Sequence, residues 1–229
     1  MTPHPDVMHG VAGPGAMIGD GQPEKPRMPP RTAPFPREKL VLRLTLGLIL
    51  ALAALTAAHA RPAAYHLQAD ASTVGFETDF GTDKITGQMP ITRADLSLDF
   101  QNPAASTFAV TLDASGSQAS FPFAAQAMKG PKVLDTGEFP QITFVSTRVI
   151  PDGADAWVDG NLTIRGVTRP ARLRAEIYRQ QGHDAGDFSR LTVHLTGAVQ
   201  RSQYGATGWN DMVGDEVRLD ILARIAVAE

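Results

Sequence analysis

Val217-Arg218-Leu219-Asp220-Ile221-Leu222-Ala223-Arg224-Ile225-Ala226-Val227, near the end of a 229-residue chain, carries the clearest pattern in the sequence. Val217, Leu219, Ile221, Ala223, Ile225 and Val227 share one face, with Arg218, Asp220 and Arg224 on the other. Successive side chains of a strand point to opposite faces, so this spacing sets one apolar face against one charged face. A sheet with one dry and one wet side is the antiparallel pattern.

The same alternation runs upstream. In Thr73–Phe80, Val74, Phe76 and Phe80 oppose Glu77 and Asp79. Ala94, Leu96, Leu98 and Phe100 alternate with Asp95, Ser97 and Asp99, which puts both aspartates on a solvated face. Phe108, Val110 and Leu112 share a face, as do Val158, Leu162 and Ile164. Ala171, Leu173, Ala175 and Ile177 follow, and then Leu191, Val193 and Leu195. Turn signals separate these runs: Gly81-Thr82-Asp83, Gln101-Asn102-Pro103, Pro151-Asp152-Gly153 and Gly182-His183-Asp184. Roughly eight to ten strands at this spacing predict an all-β sandwich or closed barrel. Phe121–Lys129 breaks the rhythm as a short helix, with Pro122 near its start and Gly130-Pro131 as its stop. Such a helix could close one end of a barrel.

The front of the chain is of another kind. Arg37, Lys39 and Arg43 precede the apolar run Leu44–Ala58, and Ala58-His59-Ala60 supplies a small-x-small triplet. That order predicts a secretory signal peptide over 37–60, cleaved after Ala60, with an exported domain over 61–229. The apolar run is shorter than the ~20 residues a spanning helix needs. Residues 1–36 hold nine of the 17 prolines and five of the 21 glycines. Their few branched or aromatic side chains cannot offset chain entropy, which predicts disorder. Three readings compete for this extension: an internal start such as Met28, a cytoplasmic extension anchored in the inner membrane through Leu44–Ala58, or a Pro-rich docking segment. No PxxP has convincing basic flanks, which counts against the third, and we take the first.

After Ala60, 15 Lys and Arg face 20 Asp and Glu. A net charge of −5 argues against nucleic acid. The chain has no cysteine. The fold therefore stands on its hydrophobic core, and thiol catalysis, Fe–S clusters and cysteine-type zinc sites are excluded.

Polar residues offer little catalytic machinery. His66, His183 and His194 lie far apart, without the spacing that converges ligands on a metal. Ser115-Gly116-Ser117 is a polar loop, not a nucleophile elbow. Asp211, Asp215 and Glu216 cluster late but match no cation loop. No glycine-rich phosphate loop is present. The inward apolar residues carry two readings: they fill a solid core, or they line a cavity. Periodicity does not choose between them.

Particular residues then resemble one family. Phe139-Pro140-Gln141-Ile142-Thr143-Phe144-Val145-Ser146 is similar to a signature of the YceI-like family. Val158-Asp159-Gly160-Asn161-Leu162-Thr163-Ile164-Arg165-Gly166-Val167-Thr168-Arg169-Pro170 matches a second signature at nearly every position. Arg201-Ser202-Gln203-Tyr204-Gly205, Trp209 and Val213-Gly214-Asp215-Glu216-Val217 resemble its closing stretch, and Ser72, Val74 and Phe76 its first strand. Together these cover Tyr65 to the C-terminus. Within them Gly160 and Gly166 read as bulge or turn positions, Thr168 to Pro170 as shaping a hairpin, and Pro140 as setting the start of a strand.

The resemblance implies an extended eight-stranded antiparallel lipocalin-like barrel with a short helix near one end. It also implies a periplasmic protein that binds an amphiphilic polyisoprenoid, isoprenoid quinone or fatty-acyl lipid, with no enzymatic activity and no cofactor. On this reading Phe76, Phe80, Leu96, Leu98, Phe108, Val110, Leu112, Phe144, Val158, Leu162, Leu191 and Val193 line the cavity. Phe121, Phe123, Arg201, Tyr204 and Trp209 stand at its mouth, where aromatics with polar tips suit an apolar–water boundary. Transient membrane contact and a monomer or homodimer are expected. An accessory or enzyme acting on quinone-like lipids beside a membrane redox complex is the alternative. One departure from the family stands out: Phe121–Lys132 is mostly apolar and has no histidine, where the family usually carries a basic, His-containing segment.

Overall fold

The computed structural model describes residues 61–179, 184 and 186–228. The expected extension and signal peptide, and His183, lie outside them. The strands are β1 (Ala63–Leu67), β2 (Thr73–Phe80), β3 (Asp83–Met89), β4 (Ile91–Leu98), β5 (Thr107–Asp113), β6 (Gln118–Ala119), β7 (Gln141–Asp152), β8 (Asp155–Ile164), β9 (Val167–Arg179), β10 (Arg190–Gln200) and β11 (Val213–Val227). One helix, α1 (Pro122–Lys129), lies between β6 and β7. Its proline sits in the first turn, where a missing N–H leaves no bond unmade.

Neighbouring strands pair antiparallel in the order β1-β4-β5-β7-β8-β9-β10-β11, and β1 pairs with β11 to close the ring. That ring is the expected eight-stranded barrel. Eleven segments fill it because some strands share a position. Along β11, β1 covers Ile225 to Val227 and β2 covers Val213 to Leu222. A 3-10 turn over Ala69–Ala71 separates the two. On the far side of this pair, β3 lies beside β2 and β4 beside β1, with only Pro90 between them. Proline cannot donate to the ladder, so a break falls there.

The register carries the alternation around the barrel. Val74, Ile221, Leu195, Ala175 and Ala156 are partners in succession across β2, β11, β10, β9 and β8. Directly paired residues share a face, so these apolar side chains all turn inward. The outer face carries charge ladders. Asp159 is held by Arg172 at 2.6 Å and Arg148 at 2.9 Å. Arg218 bridges Glu77, Asp79 and Glu216.

Two local readings are corrected. Asp99 is buried, not solvated, because β4 ends at Leu98 and the alternation lapses with it. Its Oδ1 accepts the N–H groups of Gln101 at 2.9 Å and Asn102 at 2.8 Å, capping the turn. The β8–β9 hairpin turns on Arg165 (φ 51°) and Gly166 (φ 71°), while Thr168 to Pro170 lie within β9. Positive φ at both central residues is what a two-residue hairpin of the right twist requires. Gly160 takes the expected bulge position, since it pairs with Ser146 while Asp159 pairs with Arg148 across a register shift in β7, and a Cβ there would meet the Phe144 ring at 2.2 Å. Its role is to admit that ring.

Candidate lipid cavity

The inner faces of the strands do not meet. They surround a cavity of about 830 Å³ that runs along the barrel. Phe76 and Phe80 of β2, Leu96 and Leu98 of β4, and Phe108, Val110 and Leu112 of β5 border it. So do Phe144 of β7, Val158 and Leu162 of β8, and Val193 of β10. Leu191 does not. It is fully buried with Tyr65 and Ile225, in a cluster at the end of the barrel where β1 begins.

Inward-facing Leu96, Phe108, Phe144, Val193, Leu219 and Ile221 are only partly buried. In a solid core such positions are dry. Here they retain surface because they face open space. Leu173, Ala175, Ile177, Leu195, Val217, Leu219 and Ile221 also border the cavity. They follow the same alternation as the expected wall positions, and that signal was enough to find them.

The barrel's two ends differ. At one, α1, the Arg165-Gly166 turn and the loop 201–212 come together. Ala114, Leu134, Ile142, Leu162 and Tyr204 form a buried cluster there, with Met128 and Val133 packed against it. At the other, Tyr65 meets Phe100 edge-on at 5.9 Å and Phe100 stacks on Phe188 at 4.7 Å. Tyr65 Oη donates to Phe188 O at 2.9 Å.

The expected mouth residues divide at the helix end. Phe123 is 78% exposed, and Phe121 and Met212 are also exposed large apolar side chains. All three border the cavity, as does half-buried Trp209. Phe121 lies against Phe80 at 6.4 Å between ring centres. An apolar rim therefore runs into the apolar interior.

Arg201 is buried and holds the loop. Nε donates to Gly214 O at 2.8 Å, Nη1 to Ala206 O at 2.6 Å and Gly208 O at 2.8 Å, and Nη2 to Val213 O at 2.8 Å. Burial pushes its guanidinium below its ordinary pKa, and the nearby Asp215 charge opposes that shift. The register of β2 against β11 shifts between Val213 and Val217, which removes carbonyls from the ladder. Arg201 and Thr78 take them up, with Thr78 Oγ1 at 2.9 Å from Glu216 O and 3.2 Å from Gly214 O. Buried carbonyls left unpaired would be costly, and this accounts for a buried cation at the site.

Asp99, Ser106 and Asp155 of the wall are also engaged. Ser106 Oγ accepts the Asp99 N–H at 2.9 Å, and Asp155 pairs with Arg174 at 2.5 Å. The other candidate groups lie away from the cavity. His194 Nε2 is 2.7 Å from Asp220 on the outer face. Asp215 accepts from Ser202 N and Oγ, and Glu216 pairs with Arg218. Ser117 Oγ donates to Ala114 O at 2.7 Å within a turn. Among the described residues, no group of three or more His, Asp or Glu side chains is placed to hold a metal.

Comparison with known proteins agrees with this architecture. The family model for the YceI-like domain matches residues 65–225. A UPF0312 protein of Enterobacter sp. (strain 638) is 32% identical over 111 residues, covering 48% of this chain and 57% of that protein. Protein YceI of Salmonella newport (strain SL254) is 29% identical over 125 residues, covering 55% of this chain and 65% of its own length. The matched part is thus less than two thirds of either relative. Among solved structures, BcnA of Burkholderia cenocepacia superposes with a TM-score of 0.63 at 19% identity, over 71% of this chain and all of BcnA. A polyisoprenoid binding domain from Saccharophagus degradans superposes with a TM-score of 0.54 at 14% identity, over 72% of this chain and 99% of that domain. These likenesses show a shared barrel. With its match running from Tyr65 through Ile225, essentially the whole barrel, the chain belongs to the family of YceI-like domains.

Proposed function

We propose that the barrel holds the apolar chain of one amphiphilic lipid, of the polyisoprenoid, isoprenoid quinone or fatty-acyl type, for transport, storage or protection. The observation that carries this reading is the cavity of about 830 Å³. Its size falls in the range of specific small-molecule sites, and its wall is almost wholly aliphatic and aromatic. Each methylene moved from water to such a wall contributes roughly 0.8 kcal/mol, so a long chain binds tightly with few polar contacts. The polyisoprenoid binding described for the Saccharophagus degradans domain supports the same class of ligand.

A carrier role, not catalysis, is favoured by the state of the polar side chains, since Thr78, Asp99, Ser106, Asp155 and Arg201 are engaged by protein partners. The exposed rim of Phe121, Phe123 and Met212 supports brief membrane contact during loading. We place the working protein in the periplasm, after removal of 37–60 as a signal peptide.

Native mass spectrometry of protein taken from its own periplasm tests these points together. The expected spectrum shows a chain beginning at Arg61 and one long-chain lipid per barrel. Protein that carries no lipid and takes up none from added isoprenoids overturns the carrier reading.

A further inference from the structure

Among the described residues, four charged side chains border the cavity: Asp99, Asp155, Arg179 and Arg201. Backbone N–H groups hold Asp99, Arg174 holds Asp155, and carbonyls hold Arg201. Arg179 differs. It ends the inward face of β9, after Leu173, Ala175 and Ile177, and pairs with Leu191 of β10. A run of apolar wall positions thus closes on a cation. Its guanidinium lies over the Phe188 ring at 5.3 Å and makes no hydrogen bond or ion pair with another described residue. Phe188 is fixed in turn, stacked on Phe100 at 4.7 Å, with its carbonyl accepting from buried Tyr65 at 2.9 Å. The neighbouring Asp187 carboxylate accepts the Ser189 N–H at 2.7 Å. A guanidinium over a ring keeps the donors along its edge available.

The wall is also open at this point. β8 pairs with β9 only as far as Ala156 and Ala175, so among the described residues no strand lies on the β8 side of Ile177 and Arg179. Ile177 faces inward yet is 36% exposed, and Gly153 and Ala154 of the adjoining β7–β8 turn border the cavity. A fork of free N–H donors at an opening of an apolar cavity is chemistry for an oxyanion.

We propose that Arg179 binds the oxyanion headgroup of the lipid, a phosphate or carboxylate, in the opening between β9 and the β7–β8 turn. The apolar chain then runs along the barrel toward the helix end, where Phe121, Phe123 and Trp209 form an apolar rim. The two ends of the cavity thereby match the two ends of an amphiphile. This assignment rests on the lipid-holding reading above. It adds a direction for the ligand and a preference among headgroups.

Titration of the delipidated protein with geranylgeraniol, geranylgeranyl phosphate and inorganic phosphate tests it. The two isoprenoids share one tail and differ in charge. The phosphate ester binds about fivefold more tightly than the alcohol, the upper range for an ion pair open to solvent. Arg179→Gln brings the two affinities together and leaves that of the alcohol unchanged. An unaltered ester-to-alcohol ratio overturns the contact, and equal losses for both overturn its headgroup role. Inorganic phosphate does not displace the ester. Displacement at comparable concentration overturns the lipid as the source of the anion.

If Arg179→Gln fails to fold, the unaltered protein still decides. Its ester-to-alcohol ratio falls toward one in about 0.5 M salt, where exposed charges are screened within a few ångströms. A ratio that ignores salt overturns the proposal. Direction is read from quenching of Trp209, with Trp157→Phe removing the other tryptophan. Stearate carrying a nitroxide near its tail tip quenches Trp209 more than stearate labelled near its carboxylate, and equal or reversed quenching overturns the direction. Should neither isoprenoid bind the unaltered protein, the carrier reading itself falls. Should the alcohol bind and the ester bind no more tightly, only this assignment falls.

Discussion

Leu195→Trp separates a hollow barrel from a solid one. Leu195 lies on β10 between Ala175 and Ile221, faces inward, and is only partly buried because it borders the cavity. Tryptophan adds six heavy atoms, a volume on the order of two to four waters at ~30 Å³ each. That is a small part of the 830 Å³ present. In a close-packed core such an insertion costs about 1–3 kcal/mol through forced rotamers and backbone shifts. A domain of this size then melts roughly 2–12 °C lower. With open space to receive the ring, the expected cost is under about 1 kcal/mol, and the melting temperature moves by no more than about 4 °C. The cost falls on the ligand instead. Six ring atoms displace about four methylenes, each contributing roughly 0.8 kcal/mol, so a chain that fills the cavity binds on the order of a hundredfold more weakly. Shorter chains are spared. Thermal unfolding followed by circular dichroism and lipid titration across chain lengths provide both readouts. A loss of 2 kcal/mol or more in stability with unaltered chain-length preference refutes the hollow wall.

Other residues carry distinct expectations. Arg201→Met leaves the carbonyls of Ala206, Gly208, Val213 and Gly214 without their buried donor and should cost at least about 3 kcal/mol, read as a lower midpoint in urea. Asp99→Ala removes the acceptor for two backbone N–H groups and should cost about 1–3 kcal/mol, whereas a solvated Asp99 would lose almost nothing in the same titration. Asp159, hydrogen-bonded first by Arg172 and then by Arg148, has its carboxyl held down from 3.8 to about 2. A depressed carboxyl stabilises the fold above its unfolded value, so this contribution is complete above pH 3.8 and is lost as pH falls through about 2. Melting temperature should therefore decline across that window, and Asp159→Asn should flatten the decline; identical slopes would remove Asp159 from the account.

Much of the barrel was legible from residue patterns. The alternation in Val217–Val227 identified β11 and its inward face, and similar runs identified β2, β5, β8, β9 and β10. Pro122 and Gly130 bounded α1 to within a residue. The central signature placed the chain in its family. What escaped were features made by partners distant in sequence. Asp99 read as outward because alternation was extended one residue past the end of β4, where a turn begins. Leu191 read as wall, but the barrel end closes around it with Tyr65 and Ile225. Arg201 read as a mouth residue, and nothing local in the sequence reveals four carbonyls converging from Ala206 to Gly214.

By itself, then, the sequence determined which residues form strands and which side of each strand is greasy. A period of two is written locally, one side chain after the next, by the geometry of extended backbone. Tertiary structure decided that the strands close into eight positions and that the enclosed side chains stop short of one another. Whether a core is solid or hollow depends on the circumference the strands close around, set by how many there are and by their stagger. Tyr65 and Val227 are partners in that closure, and no pattern in the 161 residues between them states that they meet.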